Sequence, residues 1–167
     1  VLSGVDPTAA SPQWMAQRLT AAGMRPISAV VDVSNYVMLE LGQPSHTYDL
    51  ATLPDGGLVV RDAIEGERIG TLDGATRTLV TGDGVIADVT GTPVGIAGVM
   101  GGASTEISAT TTDVLLELAW WRPERIQVTT DRLNLHSEAG TRFRRGADVA
   151  MAPRAATRVA QLLVEIA

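Results

Sequence analysis

Apolar positions fall at helical spacing near both ends of the chain and in short runs between them. Ser11 is placed to cap a helix with Pro12 at its first position and Gly23 beyond its end. A second helix is predicted to open near Ser28 and to carry Val30, Val33, Val37 and Leu41 on one face until Gly42 breaks it. His46 follows on the turn that this break predicts. Beyond Pro54 the pattern changes to short apolar runs bounded by glycine: GLVVRDA, RIGTLDG, TRTLVTG, GVIADVTG and TPVGIAGVMGG. Turn signals roughly every 8–12 residues suit an antiparallel or mixed β system. Residues 113–120, DVLLELAW, read as a buried strand, and residues 122–133 as a helix with Pro123 at its start. The closing segment, residues 148–167, predicts an amphipathic helix striped by Val159, Leu162, Leu163 and Ile166.

Helices on both sides of a strand block predict an α+β fold, with mixed or antiparallel sheets flanked by helices in a sheet–sheet–helix core. A length of 167 residues allows one domain or two small interlocked ones. The segment carries no tails, repeats or linker and reads as a piece of a longer protein. No apolar run approaches the roughly 20 residues of a membrane helix, and the expected location is the cytoplasm. The absence of cysteine excludes disulfides, thiol catalysis and Cys-ligated zinc.

Charge changes that picture only locally. Residues 1–119 hold 5 arginines against 14 acids, whereas residues 120–160 hold 8 arginines against 4 acids. Lysine is absent, so every side-chain cation other than histidine is a planar guanidinium suited to bidentate phosphate or carboxylate contact. The basic third is open to two readings: a phosphate-facing edge, or a set of ordinary ion pairs.

Glu117 is the sharpest anomaly, because its neighbours from Val114 to Trp121 are all apolar. Strand alternation puts it on one face with Leu115 and Ala119. A buried carboxylate must be paired, hydrogen-bonded or neutral, which makes it a candidate site residue; on a wet strand face it would be inert. The run GVMGG, residues 98–102, is either a tight turn or a backbone cradle for a ligand. It lacks the lysine of a P-loop and the GxGxxG spacing of a dinucleotide site. The loop LNLHSEAGTRFRRG, residues 133–146, offers small hydroxyl side chains beside Arg142, Arg144 and Arg145, which either face a nucleic-acid backbone or pair with Glu138 and Asp148. No HExxH, CxxC or GxSxG motif is present, and His136 has no metal-ligand spacing to His46.

Four segments in order, NYVMLELGQPSHTYD, GVMGG, LLELAWW and HSEAGTRFRRG, together resemble the third and fourth modules of the bacterial phenylalanyl-tRNA synthetase β chain, the B3/B4 region that houses editing in that family. The resemblance covers essentially the whole chain and implies one editing domain over residues 1–167, built from two interlocked modules. Carried over motif by motif, it implies catalytic roles for His46 and Ser137 and substrate-binding roles for Gly101, Glu117 and Ala139. Ser137 stands where threonine is common in the family, and Arg144 where its RFERG element has an acid.

The implied reaction is hydrolysis of the ester of mischarged Tyr-tRNA(Phe), with the tyrosine hydroxyl as the recognised group. The resemblance implies no cofactor and no metal in this domain, ATP and magnesium serving aminoacylation elsewhere in the full synthetase. It implies as partners the acceptor end of tRNA(Phe), the α subunit and the remaining β modules, in an (αβ)2 heterotetramer with no membrane contact. The alternative is a non-catalytic module that holds tRNA or the other subunit. In that case changes at Glu117 and His46 leave hydrolysis untouched, and changes at the arginines alter affinity.

Overall fold

Three pieces of chain separated by other sequence build the first of two compact units. A computed structural model describes residues 1–167, and the units comprise Val1–Leu50, Ile107–Ala119 and Asp148–Ala167, and Ala51–Glu106 with Trp120–Ala147. In chain order the elements are β1 (Leu2–Ser3), α1 (Gln13–Ala21), α2 (Ala29–Leu41), β2 (Ser45–Asp49), β3 (Leu58–Asp62), β4 (Arg68–Gly70) and β5 (Thr76–Thr78). There follow β6 (Gly84–Asp88), β7 (Pro93–Ile96), β8 (Met100–Gly101), β9 (Asp113–Leu118), α3 (Pro123–Leu133), α4 (Glu138–Arg145) and α5 (Ala152–Ile166). Every strand ladder is antiparallel, and the fold is α+β as the pattern predicts.

In the first unit the sheet order is β1-β9-β2. Alternation along β9 turns Val114, Leu116 and Leu118 toward a core formed with Met15, Leu19, Val33, Val37, Val159 and Leu162 from the three helices. α2 runs between the two residues expected to bound it. The Ser28 hydroxyl accepts the Val31 N–H at its start, and Gly42 ends it in the left-handed region at φ 72°. α1 departs from expectation at its start: Pro12 caps it without a side-chain bond, and Ser11 instead donates to the buried Asp32 at 2.5 Å. Asp32 also accepts the Ile27 N–H at 2.8 Å, so the hydroxyl expected to start one helix ties down the first turn of the next. The other end of α1 is as expected: Gly23 has φ 82°, and the Met24 N–H reaches back to the Leu19 carbonyl.

The second unit joins a four-stranded sheet, β3-β6-β7-β8, and the hairpin β4-β5 to α3 and α4. Its core combines Ile69, Val85 and Ile96 from the strands and Leu79 just after β5 with Ile126, Leu135 and Phe143 from the helical segment. A buried carboxylate fastens the two kinds of element: Asp83 accepts the Thr129 hydroxyl at 2.8 Å, the Val80 N–H at 3.0 Å and the Arg132 guanidinium. Charge-assisted bonds of this kind hold a buried anion that would otherwise be costly.

Five of the eight arginines in residues 120–160 have a carboxylate within 4.0 Å: Arg125 with Asp62, Arg132 with Asp83, Arg142 with Glu138, Arg144 with Asp131 and Arg158 with Glu40. Most of the basic third is therefore spent on ion pairs within the chain. Arg142 pairs with Glu138 as one reading expected, whereas Arg144 turns to Asp131 rather than to Asp148.

Candidate functional site

The turn created by Gly42 is short, and His46 lies beyond it, inside β2 rather than on the turn. Gln43 explains why the strand starts so soon. Its buried amide donates to the carbonyls of Pro44 at 3.0 Å and Ala119 at 2.9 Å, tying the start of β2 to the end of β9. The register that follows sets His46 directly opposite Glu117 and Tyr48 opposite Leu115. Alternation then puts His46, Tyr48, Glu117 and Leu115 on the sheet face opposite the helix-covered one. The two candidates on this unit, 71 positions apart in sequence, are thus cross-strand neighbours.

Tyr48 completes the cluster. Its side chain is fully buried, and its hydroxyl donates to Glu117 Oε2 at 2.5 Å. Burial and the adjacent carboxylate hold the phenol protonated far above its usual range. Burial also pushes the Glu117 carboxyl up, while the Tyr48 bond pulls it back toward the charged form. Glu117 Oε1 makes no hydrogen bond and is not enclosed, so it remains available as an acceptor. His46 meets the Tyr48 ring edge-on, with centroids 4.5 Å apart. Although part of the residue is accessible, its Nε2 is fully enclosed without a partner, and burial pushes the imidazole down to about 4. Near neutral pH it is an uncharged ring. Such a ring can accept or donate one hydrogen bond but carries no positive charge.

The other three candidates belong to the second unit. Gly98 has φ 68°, and a Cβ there would lie 2.5 Å from Trp121 and 2.8 Å from Ile126. Gly102 approaches the Val94 backbone so closely that a Cβ would meet its carbonyl oxygen at 2.7 Å. The glycine run is therefore a tight turn required by packing. Gly101 sits in β8 opposite Gly95, and its carbonyl accepts the Leu72 N–H at 3.1 Å. The segment read as a loop after His136 contains a helix, α4, capped by Ser137. The Ser137 hydroxyl donates to the Val99 carbonyl at 2.5 Å and accepts the Gly140 N–H at 2.9 Å. Its only proton is engaged, so it has acceptor capacity left but no free donor. Ala139 is half-buried in the first turn of α4 and packs on the core of this unit. A cleft of about 420 Å³ in the same unit, lined by Val60, Trp120, Trp121 and Arg122 among others, contains none of the five candidates.

A scan against protein families matches the B3/4 domain over residues 1–167. The chain belongs to the B3/4 domain family. Among curated proteins it is 54% identical over 166 residues to the phenylalanine–tRNA ligase beta subunit of Nocardia farcinica, covering 99% of this chain and 20% of that protein. The same-named subunit of Leifsonia xyli is 54% identical over 167 residues, covering 100% of this chain and 20% of the relative. That of Geobacter sulfurreducens is 50% identical over 157 residues, covering 94% and 20%. This B3/4 chain thus spans about a fifth of the length of the curated relatives it matches. The resemblance read from four short segments extends across the whole domain. No helix is long and apolar enough to cross a membrane.

Tyr48 is the functional candidate that sequence reasoning missed. It lies two residues from His46 in the segment NYVMLELGQPSHTYD, and the alternation of a strand puts the two on one face. A His46 on the turn after Gly42 carries no such alternation, and the strand begins already at Ser45.

Proposed function

We propose that this domain hydrolyses the ester of tyrosine mischarged on tRNA(Phe), as the editing part of a phenylalanine–tRNA ligase β subunit. The observation that carries the reading is the acceptor on the β2–β9 face: Glu117 holds a phenol hydroxyl on one oxygen and leaves the other open, beside an uncharged imidazole. Its similarity to subunits named phenylalanine–tRNA ligase supports the class of substrate.

Phenylalanine and tyrosine differ by one hydroxyl, and a site built to bond that hydroxyl rejects the analogue lacking it. In this reading Glu117 accepts the para-hydroxyl of the tyrosyl group. Phenylalanine would leave buried polar groups unpaired, at a cost of about 1–3 kcal/mol for each. His46 orients water and the terminal ribose. No side chain is assigned as general base; positioning and the ribose hydroxyl of the substrate supply the step. The partners of the reading are the acceptor end of tRNA(Phe), the α subunit and the remaining β modules, in the cytoplasm.

The test is deacylation by the intact synthetase that carries this domain. Tyr-tRNA(Phe) should be hydrolysed at least tenfold faster than Phe-tRNA(Phe), as one charge-assisted hydrogen bond implies. Equal rates would end the reading and leave a module that binds without chemistry.

A further inference from the structure

Glu117 must keep a carboxylate oxygen aimed at a ligand although its own chain has three flexible torsions, and burial favours its neutral form. The last torsion of a glutamate is broad, so packing alone does not fix the plane of the carboxylate. The group that fixes it is the Tyr48 hydroxyl. The Tyr48 ring is fully buried and held by the edge of His46 at 4.5 Å, so its O–H is a donor in a set place. At 2.5 Å from Oε2 it makes a short hydrogen bond. Oε1 is then the one oxygen left unpaired.

We propose that Tyr48 is a positioning residue for recognition of the substrate phenol, holding Glu117 by Oε2 so that Oε1 alone accepts the substrate hydroxyl. The proposal rests on the editing reading and deepens it, adding a residue that acts through Glu117 rather than on the substrate. The anion then sits between two phenols, one from the chain and one from the substrate, and each satisfies one oxygen. When no substrate is bound, Tyr48 still gives the carboxylate one partner, which lessens the cost of carrying it on this face.

The experiment compares four forms of the intact synthetase: unaltered, Tyr48→Phe, Glu117→Gln, and the double variant. Each is assayed for kcat/KM on Tyr-tRNA(Phe) and Phe-tRNA(Phe). Tyr48→Phe retains the buried ring and its contact with His46, so it removes only the hydroxyl. The Tyr-over-Phe ratio should fall about tenfold in Tyr48→Phe, the usual weight of one bond to a charged group. It should fall no further when the same change is added to Glu117→Gln, because a residue that acts through another is not additive with it. A selective unaltered enzyme whose ratio survives Tyr48→Phe would overturn the role of Tyr48 alone. An equal fall on both substrates, or additive losses in the double variant, would also overturn it, by showing a general packing effect. An unaltered enzyme with no preference for tyrosine would overturn the editing reading and this inference together.

Discussion

The strand pair β2–β9 and the turn at residues 98–102 both drew notice in the sequence, yet they use their unusual residues in opposite ways. On the turn two glycines have structural jobs, Gly98 making room for Trp121 and Ile126 and Gly102 for the Val94 backbone, and the Ser137 hydroxyl at the start of α4 bonds the Val99 carbonyl of the turn and the Gly140 N–H. On the strand pair the polar groups are only half used. Glu117 Oε1 is unpaired, and His46 Nε2 is enclosed without a partner. Spare hydrogen-bonding capacity on a rigid sheet, rather than an unusual residue as such, is what marks a place for chemistry.

The largest expected effect lies on the structural side. Gly98→Ala forces a Cβ into the left-handed region against Trp121 and Ile126, and should cost about 2–4 kcal/mol in chemical denaturation. A loss below about 1 kcal/mol would show that the turn yields. That result would remove half of the contrast.

The next effect is a pH slope from the strand pair. The folded His46 titrates at about 4, against roughly 6.5 when unfolded, so between these values the unfolded state binds more protons. Stability attributable to His46 is therefore present above pH 6.5 and is lost as pH falls toward 4. The loss should be about 1–3 kcal/mol, discounted because part of the residue is accessible. Glu117 works in the opposite sense: its raised pKa favours the folded state at low pH and weakens it as pH rises through that value. Bonded carboxylates such as Glu40 and Glu67 also lose stability in acid. The measurement is therefore the difference between the parent and His46→Gln in denaturation at pH 7 and pH 5. The parent should lose more stability on acidification; identical losses would mean that His46 is not held neutral by burial.

The smallest effect is at the helix that Ser137 caps. Arg142→Ala removes a pair with Glu138, which is largely exposed, and should cost about 0.3–0.5 kcal/mol, close to the limit of detection. A much larger loss would give the basic stretch a role beyond such pairs.

Much of the fold was legible because local signals and tertiary structure agreed. α2 runs between its expected cap and its expected glycine, and the glycine-bounded runs after Pro54 became β3 to β8. α4 was illegible: EAGTRFRR offers one large apolar residue, Phe143, with Gly140 and Thr141 as poor helix formers. It is held by the Ser137 cap and by burial of Phe143. Ser11 misled because a hydroxyl before proline is a good cap signal, and nothing local announces a bond to Asp32 21 positions away. The candidate site was half legible. Glu117 stood out as a charge in an apolar run, but its partners His46 and Tyr48 come from a register fixed by Gln43, and short-range patterning does not carry that information.

The most direct measurement is the kinetic coupling between Glu117 and the substrate hydroxyl. kcat/KM is determined for Tyr-tRNA(Phe) and Phe-tRNA(Phe) with the intact synthetase and its Glu117→Gln variant, which keeps an acceptor for Tyr48. If Glu117 reads the hydroxyl, the variant should lose Tyr-tRNA(Phe) hydrolysis by roughly one to two orders of magnitude. Its rate on Phe-tRNA(Phe) should hardly change, so the preference for tyrosine collapses. A variant that still prefers tyrosine as strongly as the parent would contradict the account and leave Glu117 as a strand residue held by Tyr48.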